Sequence, residues 1–393
     1  MRLIHTSDWH LGRSFHGVGL LGAQGRYLDH LVDVVRQEQI DAVLVSGDIY
    51  DRALPSPDTV ALLDDAVVRL LDAGAAVILS SGNHDSATRL GFASRVLERA
   101  GLHIRTTLES VGTPVTLGDT HVYPIPFLEP SLVADELGCQ DRTHAAVLRA
   151  VMSRVTTDQR SRGGQSVVMA HAFVTGATTS ESERDISVGG MGAVPVEVFD
   201  GVDYVALGHL HGAQQPREHV RYSGSPVAMS FSETGHVKGS WLVDLDGAEP
   251  SFTFVEAPVE RQLHRLRGNL DDLLAGPTYA PAETGWCQVT LTDPVRPLGA
   301  MERVRSRFPH TLQLLFDGPT DQIAARSYAQ RTRGRSDIDV CCDFLEHVRE
   351  GAPASDEERE VFASALAEST VARRRRDDEG EVGDVSVGRS GVA

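Results

Sequence analysis

Cysteine is scarce in this sequence: four in 393 residues, two of them (Cys341 and Cys342) adjacent and unable to bridge each other easily. That argues against a disulfide-built scaffold. Lysine is almost absent, with Lys238 alone, so the basic side chains are nearly all arginine. Positive charge of any kind is short, with 37 Lys and Arg against 55 Asp and Glu and a formal net charge of -18. By itself this argues against a phosphate-rich partner, which attracts basic surfaces. Two features reduce the objection. Carboxylates that bind cations count as negative although the ions offset them, and acid is concentrated late, as in Asp356, Glu357, Glu358 and Glu360. No apolar run is long enough to span a bilayer, and Met1-Arg2-Leu3-Ile4-His5 lacks the stretch of a signal peptide. The expectation is a cytoplasmic protein with no membrane contact.

What is present is the composition of a soluble globular chain, 41% hydrophobic and 23% charged, long enough for about two or three domains. The first half alternates short apolar runs with amphipathic stretches. Leu3–Thr6, Asp41–Ser46 and Ala76–Ser80 read as strands. Leu28, Leu31, Val32 and Val35, then Val60, Leu63, Val67, Leu70 and Leu71, recur at helical spacing. Further strands are expected at 120–124, 166–170, 202–207 and 219–223. This alternation predicts an α/β core with buried sheets. Near residue 260 the composition changes to a small α+β unit: helical spacing over Gln262–Leu274, strands at 287–291 and 312–316, and a helix at 301–308. After Gln322 the pattern is helical. Ile338, Cys341, Leu345 and Val348 share one face, and Ser355 with Glu358 forms a capping-box signature before Val361, Phe362 and Leu366. From Arg373 the composition suggests a disordered tail.

Five polar clusters each follow an apolar strand: Asp8-Trp9-His10, Gly47-Asp48-Ile49-Tyr50-Asp51, Gly82-Asn83-His84-Asp85, His171, and Gly208-His209-Leu210-His211. The carboxyl ends of parallel strands lie together, so loops far apart in sequence can converge there. Singly, each cluster has an ordinary reading. Asn and Asp favour turns without any ligand role, and His209 and His211 could be polar loop residues. Five in this order are not readily a coincidence. Imidazole suits Zn, Fe and Mn, and carboxylate or amide oxygen suits harder ions such as Mn and Mg. The absence of cysteine points away from a structural zinc site. One carboxylate bridging two ions would hold them ~3.5–4 Å apart, the spacing used for in-line displacement at phosphorus. Gly47, Gly82 and Gly208 stand where strands turn into these loops, which suits glycine's tolerance of unusual φ/ψ. The other histidines, His5 among them, are expected to be core, surface or supporting residues.

The motif series Asp-x-His, Gly-Asp-x-x-Asp, Gly-Asn-His-Asp, a single His and Gly-His-x-His resembles that of the calcineurin-like metallophosphoesterases. The wording of His5–Gly12, Gly82–Ser86, Ser182-Glu183-Arg184-Asp185, Val188-Gly189-Gly190 and Tyr222–Pro226 narrows the resemblance to the SbcD family of bacterial exonuclease subunits. The resemblance implies a two-sheet sandwich flanked by helices, with a small α+β capping domain and a C-terminal helical pair. One metal would be held by Asp8, His10, Asp48 and His211, the other by Asp48, Asn83, His171 and His209. His84 would be the general acid or transition-state stabiliser, oriented by Asp85. The ions would be two Mn2+, with Mg2+ as a substitute. The implied activity is 3′–5′ double-strand exonuclease and single-strand or hairpin endonuclease cleavage in DNA repair, recombination and replication. The implied partners are DNA ends and hairpins, an SbcC-type ABC ATPase, and a second copy of the chain within a heterotetramer.

The expected domains are a nuclease domain at 1–260, a capping domain at 261–330, an SbcC-docking element at 331–370 and a tail at 371–393. Arg13, Arg52, Arg89 and Arg184 lie beside the motifs and are candidates for phosphate contacts. Surface salt bridges are an equally ordinary role for each. Two rivals remain. The metal motifs alone allow a phosphatase or cyclic-nucleotide diesterase, against which the capping unit and helical pair speak. A non-catalytic DNA-end tether is disfavoured by the His84-Asp85 pair.

Overall fold

The computed structural model describes residues 1–183, 192–247, 250–317, 336–349 and 353–379. Two six-stranded sheets form its centre. In the first the order is Ser251–Glu256, Gly239–Asp244, Arg2–Thr6, Ala42–Ser46, Ala76–Ser80, Leu102–Arg105. In the second it is Gln214–Arg217, Val220–Tyr222, Tyr204–Gly208, Gln165–His171, Thr120–Pro124, Val115–Leu117. The inner strands of both sheets run parallel, and antiparallel pairs are confined to the margins.

The alternation of side chains explains the layering. Leu3, Ala42, Leu44 and Ile78 of one sheet meet Val122, Val167, Met169, Tyr204 and Ala206 of the other in a shared inner core. The intervening residues Ile4, Val43, Val45, Val77 and Leu79 face outward under the helices Leu21–Glu38 and Pro57–Asp72. On the opposite side Val168, Ala170, Val205 and Leu207 pack under Val147, Val151 and Val155 of the helix His144–Arg162. Strands apolar on both faces are what sheets covered on both sides require. Local signals set the helix starts. Ser56 accepts from Thr59 N ahead of Pro57, and Thr143 accepts from Ala146 N.

After residue 260 a parallel three-stranded sheet, Leu263–Gly268, Trp286–Leu291 and Thr311–Phe316, packs with the helices Leu270–Ala275 and Ala300–Arg307 around Leu266, Leu273, Val289, Val304 and Phe308. The helix expected over Gln262–Leu274 is thus a strand followed by a short helix. Leu263 and Leu266 are three apart, which mimics helical spacing, but in a strand they face opposite sides. Each side has its own core: Leu266 joins the cap's interior, and Leu263 packs with Trp286 against Phe15, Leu20, Met229 and Phe231 of the first unit.

The C-terminal pair consists of Asp337–Val348 and Asp356–Glu379. The capping box is formed: Glu358 N donates to Ser355 Oγ at 3.3 Å and Ser355 N to the Glu358 carboxylate at 2.9 Å. The second helix continues to Glu379, so the disordered tail expected from residue 371 is corrected over 371–379; residues 380–393 lie outside the described residues. An uninterrupted run of arginines is compatible with helix, since arginine is a good helix former. This helix also touches Ala87–Leu90 and Pro130–Val133 of the first unit. No helix among the described residues is long and apolar enough to cross a membrane.

Met169 lies in the inner layer with no exposure, whereas Val68 on the helix Pro57–Asp72 is 48% exposed. Met169→Ala should lower unfolding free energy by about 2–5 kcal/mol, and Val68→Ala should change it by less than about 0.5 kcal/mol. Denaturant titration of both variants checks the assignment of layers.

Candidate metal centre

The parallel strands deliver their carboxyl-terminal loops to one place. Asp8 and His10 follow Arg2–Thr6, Asp48 follows Ala42–Ser46, and Asn83 to Asp85 follow Ala76–Ser80. His171 ends Gln165–His171, and His209 and His211 follow Tyr204–Gly208. Main-chain bonds lock the loops together: Asp8 N donates to Gly47 O at 3.1 Å and His10 N to Asp48 O at 2.9 Å. Asp8, His10, Asp48, Asn83, His84, Asp85, His171, His209 and His211 are all buried.

The backbone is strained to bring them there. Among the described residues seven non-glycine positions have positive φ, and four are expected ligands: Asp8, His10, Asp48 and His209. Such conformations cost about 1–3 kcal/mol each and persist where the surroundings enforce them. The glycines act by two means. Gly47 has φ +85, a conformation that favours glycine. Gly82 and Gly208 are not in that region, which corrects the expectation for them; there the constraint is space. A Cβ on Gly82 would overlap Asp48, and one on Gly208 would overlap Ser46 O.

Three groups bring ligand atoms within 4.8 Å of one another: Asp8, His10 and His211; His10, Asp48 and His84; Asp8, Asp48 and His171. Asp48 therefore stands between the two halves. Asn83 lies with the second half, its Oδ1 2.9 Å from His171 Nε2. His209 packs edge-on to His171 with ring centroids 5.3 Å apart, and its amide donates to Asp8. It joins none of the three groups.

Hydrogen-bond direction shows which ring nitrogens face this cluster. His171 Nδ1 faces the carbonyl of Ser46 at 3.0 Å, so that nitrogen carries a proton. Its Nε2 then points at Asn83 Oδ1 and, at 3.4 Å, the Asp48 carboxylate. His211 Nδ1 faces Ser182 Oγ at 2.7 Å, and its Nε2 meets His10 Nε2 at 3.1 Å. Lone pairs facing acceptors across buried space repel unless a proton or a cation stands between them. The donor set of imidazole, carboxylate and amide oxygen suits divalent ions, so the residues fit the expected metal.

The titration behaviour fits the same picture. Burial pushes His10 down to about 3, and burial together with His171 pushes His209 well down, so both imidazoles are neutral and available. Burial pushes Asp8 up to about 6. Burial alone would depress His171, but the Asp48 carboxylate outweighs it and raises its pKa to about 9. Without a cation, His171 is therefore protonated at neutral pH. A metal ion must displace that proton. Calorimetry near neutral pH, in two buffers of different ionisation heat, should register release of about one proton per protein on metal binding. Apparent affinity should rise as pH increases from Asp8's value of about 6 towards His171's of about 9. Heats that do not depend on the buffer would count against this cluster as the binding site.

The expected role of Asp85 needs correction. Its carboxylate accepts from three backbone amides, Ile49 at 3.1 Å, Tyr50 at 2.9 Å and Gly82 at 2.9 Å, and so ties the second and third loops together. Burial, with the nearby charge of Asp48, pushes its pKa up to about 7. The His84 ring is instead oriented through Nδ1, which faces Asp51 O at 2.9 Å and leaves Nε2 on the Asp48 side at 4.0 Å.

The arginines divide. Arg13 is tied to Asp51 at 2.9 Å and to Ser182 O at 3.1 Å, so it braces the site. Arg89 donates to Ala53 O at 3.3 Å. The Arg52 side chain is 81% exposed beside Asp51. Arg184, with Asp185 and Val188–Gly190, lies outside the described residues.

Sequence reasoning placed His5 among core, surface or supporting residues and Ser182 in a motif, but gave Glu233 and Lys238 no role. Glu233, Lys238 and Ser182 stand behind His211, and the buried His5 bridges Tyr204 Oη at 2.8 Å and Leu207 O at 3.1 Å. Ser182 did carry a signal, since it opens the Ser-Glu-Arg-Asp motif. Glu233 and Lys238 carried none beyond the rarity of lysine.

Comparison with known proteins agrees with this geometry. The calcineurin-like phosphoesterase family model matches residues 1–213. A second, described as type 5 capsule protein repressor C-terminal domain (SbcD_C), matches residues 259–349. The SbcD component of the SbcCD nuclease of Staphylococcus saprophyticus is 31% identical over 319 residues, covering 80% of this chain and 84% of that protein. Two solved structures align more loosely. A dimetal phosphatase from Danio rerio has a TM-score of 0.41 at 13% identity, covering 66% of this chain and 98% of that one. The calcineurin-like phosphoesterase YfkN from Bacillus subtilis has a TM-score of 0.32 at 13% identity, covering 65% and 90%. A buried cluster of candidate metal-binding residues on a matching family core, with a C-terminal unit matched as well, places this chain among the calcineurin-like phosphoesterases, in the SbcD family of SbcCD nuclease components, as a divalent-metal phosphodiesterase.

Proposed function

We propose that this chain is the manganese-dependent nuclease subunit of an SbcCD-type complex, cutting DNA ends 3′ to 5′ and opening single strands and hairpins. The observation that carries the reading is the two-sided cluster around Asp48, in which imidazole, carboxylate and amide donor atoms converge in buried space. Asp8, His10, Asp48 and His211 would hold one ion, and Asp48, Asn83, His171 and His209 the other, with Mg2+ as a substitute for Mn2+. When bound, the ions supply activation of water and neutralisation of charge at phosphorus.

The chain's own residues do the rest. His84, with Nδ1 anchored on Asp51 O, presents Nε2 to the site and can pass a proton to the leaving sugar oxygen. Asp85 holds the loops that carry Asp48 and Asn83 in place through three amides. Among the described arginines Arg13, Arg52 and Arg89, the exposed Arg52 is the best placed to meet a DNA phosphate.

The nuclease unit would end near residue 260 and the cap near 330. The helices Asp337–Val348 and Asp356–Glu379 would dock an SbcC-type ATPase, with two copies of this chain in the assembly. Phe344 is 57% and Val361 66% exposed on this pair, an unusual position for large apolar side chains on a solvated element. The contact of the second helix with Ala87–Leu90 and Pro130–Val133 supports the alternative that the pair belongs to the nuclease unit's own surface.

Nuclease activity on plasmid and hairpin DNA should require Mn2+ and vanish in excess chelator. His84→Ala should lower the rate by about 10²–10⁴-fold while metal analysis shows both ions retained. Activity on a generic phosphomonoester exceeding that on DNA would favour the phosphatase reading. A chain ending near residue 330 should keep its metal content and melting temperature but no longer co-purify with SbcC. Full SbcC affinity in that chain would exclude docking by the helices.

A further inference from the structure

The chain's one lysine is not on the surface. Lys238 is buried, and its ammonium donates to three acceptors: His211 O at 2.8 Å, Ser225 Oγ at 3.0 Å and Glu233 Oε2 at 2.5 Å. Three acceptors spread around one nitrogen match an ammonium's three donors and not the planar fork of the arginines used elsewhere. Glu233, 1% exposed, also accepts from Met229 N at 3.2 Å and from Ser182 Oγ. Because the Ser182 hydroxyl gives its hydrogen to Glu233, its oxygen is left to accept from His211 Nδ1, 2.7 Å away.

The bonds therefore run one way. The Lys238 ammonium donates to Glu233, Glu233 accepts from the Ser182 hydroxyl, and Ser182 accepts the His211 Nδ1–H. The same ammonium also holds the His211 carbonyl, and Glu183 accepts from the His211 amide at 2.8 Å. Ring and backbone of one residue are thus fixed by a single network. The turn Phe231–Glu233 is fastened from outside, since Phe231 and Met229 pack with Leu263 and Trp286 of the cap.

We propose that Lys238, Glu233 and Ser182 form a positioning relay that locks His211 in its Nδ1–H tautomer, so that the Nε2 lone pair is always presented to the metal centre. This rests on the reading of His211 as a metal ligand. The geometry explains why a charged pair is retained in a buried position where apolar packing would often serve stability as well. A relay of this kind tunes ligand affinity through the nitrogen that does not touch the metal.

The test uses ¹⁵N-histidine NMR on the full-length, metal-free protein, with His211→Gln assigning the resonance, followed by titration with Mn2+ alone. In the unaltered protein His211 should show a single Nδ1–H tautomer, and Mn2+ should broaden its Nε2 signal; absence of broadening would refute the ligand reading independently of the relay. Glu233→Gln and Ser182→Ala should each give mixed tautomers and weaken Mn2+ binding by about 10–100-fold. Lys238→Arg should not restore the unaltered values. Ser182→Ala leaves the Lys238–Glu233 pair intact, so it remains informative if the Glu233 variant folds poorly. An unchanged His211 tautomer and Mn2+ affinity in Ser182→Ala, or a lowered melting temperature with both unchanged, would overturn the relay and leave the pair a packing feature.

Discussion

Asp48 carries the constraint on which the site depends. Its carboxylate is buried between the imidazoles of His10, His84 and His171, all within 4.0 Å. Burial alone would raise its pKa, but the facing histidines hold it well below the usual carboxylate range. An ionised carboxylate at this depth demands compensating positive charge. A proton on His171 can supply part of it, and divalent cations held by this cluster would supply the rest. The glycines next to it follow from the same demand. Gly47 and Gly82 let two loops close over the carboxylate, and Gly208 lets the second sheet approach Ser46.

The double sheet is what makes that demand affordable in conformational terms. Each expected ligand ends a strand that is buried on both faces or lies within a few residues beyond it, so the rigid part of the fold reaches almost to the cluster. The bond from Ser46 Oγ to Ala206 O, at 2.9 Å, and that from His171 Nδ1 to Ser46 O join the sheets at the site end. Strain at Asp8, His10, Asp48 and His209 is therefore held by both sheets at once. Asp85, Arg13 and the Glu233–Lys238 pair extend the bracing outward to the loops and the cap.

Much of this was legible in the sequence because ligand chemistry and strand periodicity coincide there. Val43, Val45, Val77 and Leu79 mark strands by composition, and the polar cluster that ends each strand marks its carboxyl end. Strand Gly239–Asp244 was harder to foresee: it joins the first sheet beside Arg2–Thr6 across more than 200 residues, and no local pattern encodes that pairing. Leu263 and Leu266 misled because spacing by three is shared by a helix face and by a strand with a core on each side. Asp85 misled because its neighbour in sequence is His84, while its bonds go to amides of another loop. Glu233 and Lys238 belong to no spaced motif; only three-dimensional closeness to His211 reveals them.

Crystals grown with Mn2+ and measured for anomalous scattering would test the central claim most directly. The account predicts two peaks ~3.5–4 Å apart, on either side of the Asp48 carboxylate, one nearest His10 and His211 and the other nearest His171 and Asn83. A single peak, or none, with His171 left protonated against Asp48, would contradict it.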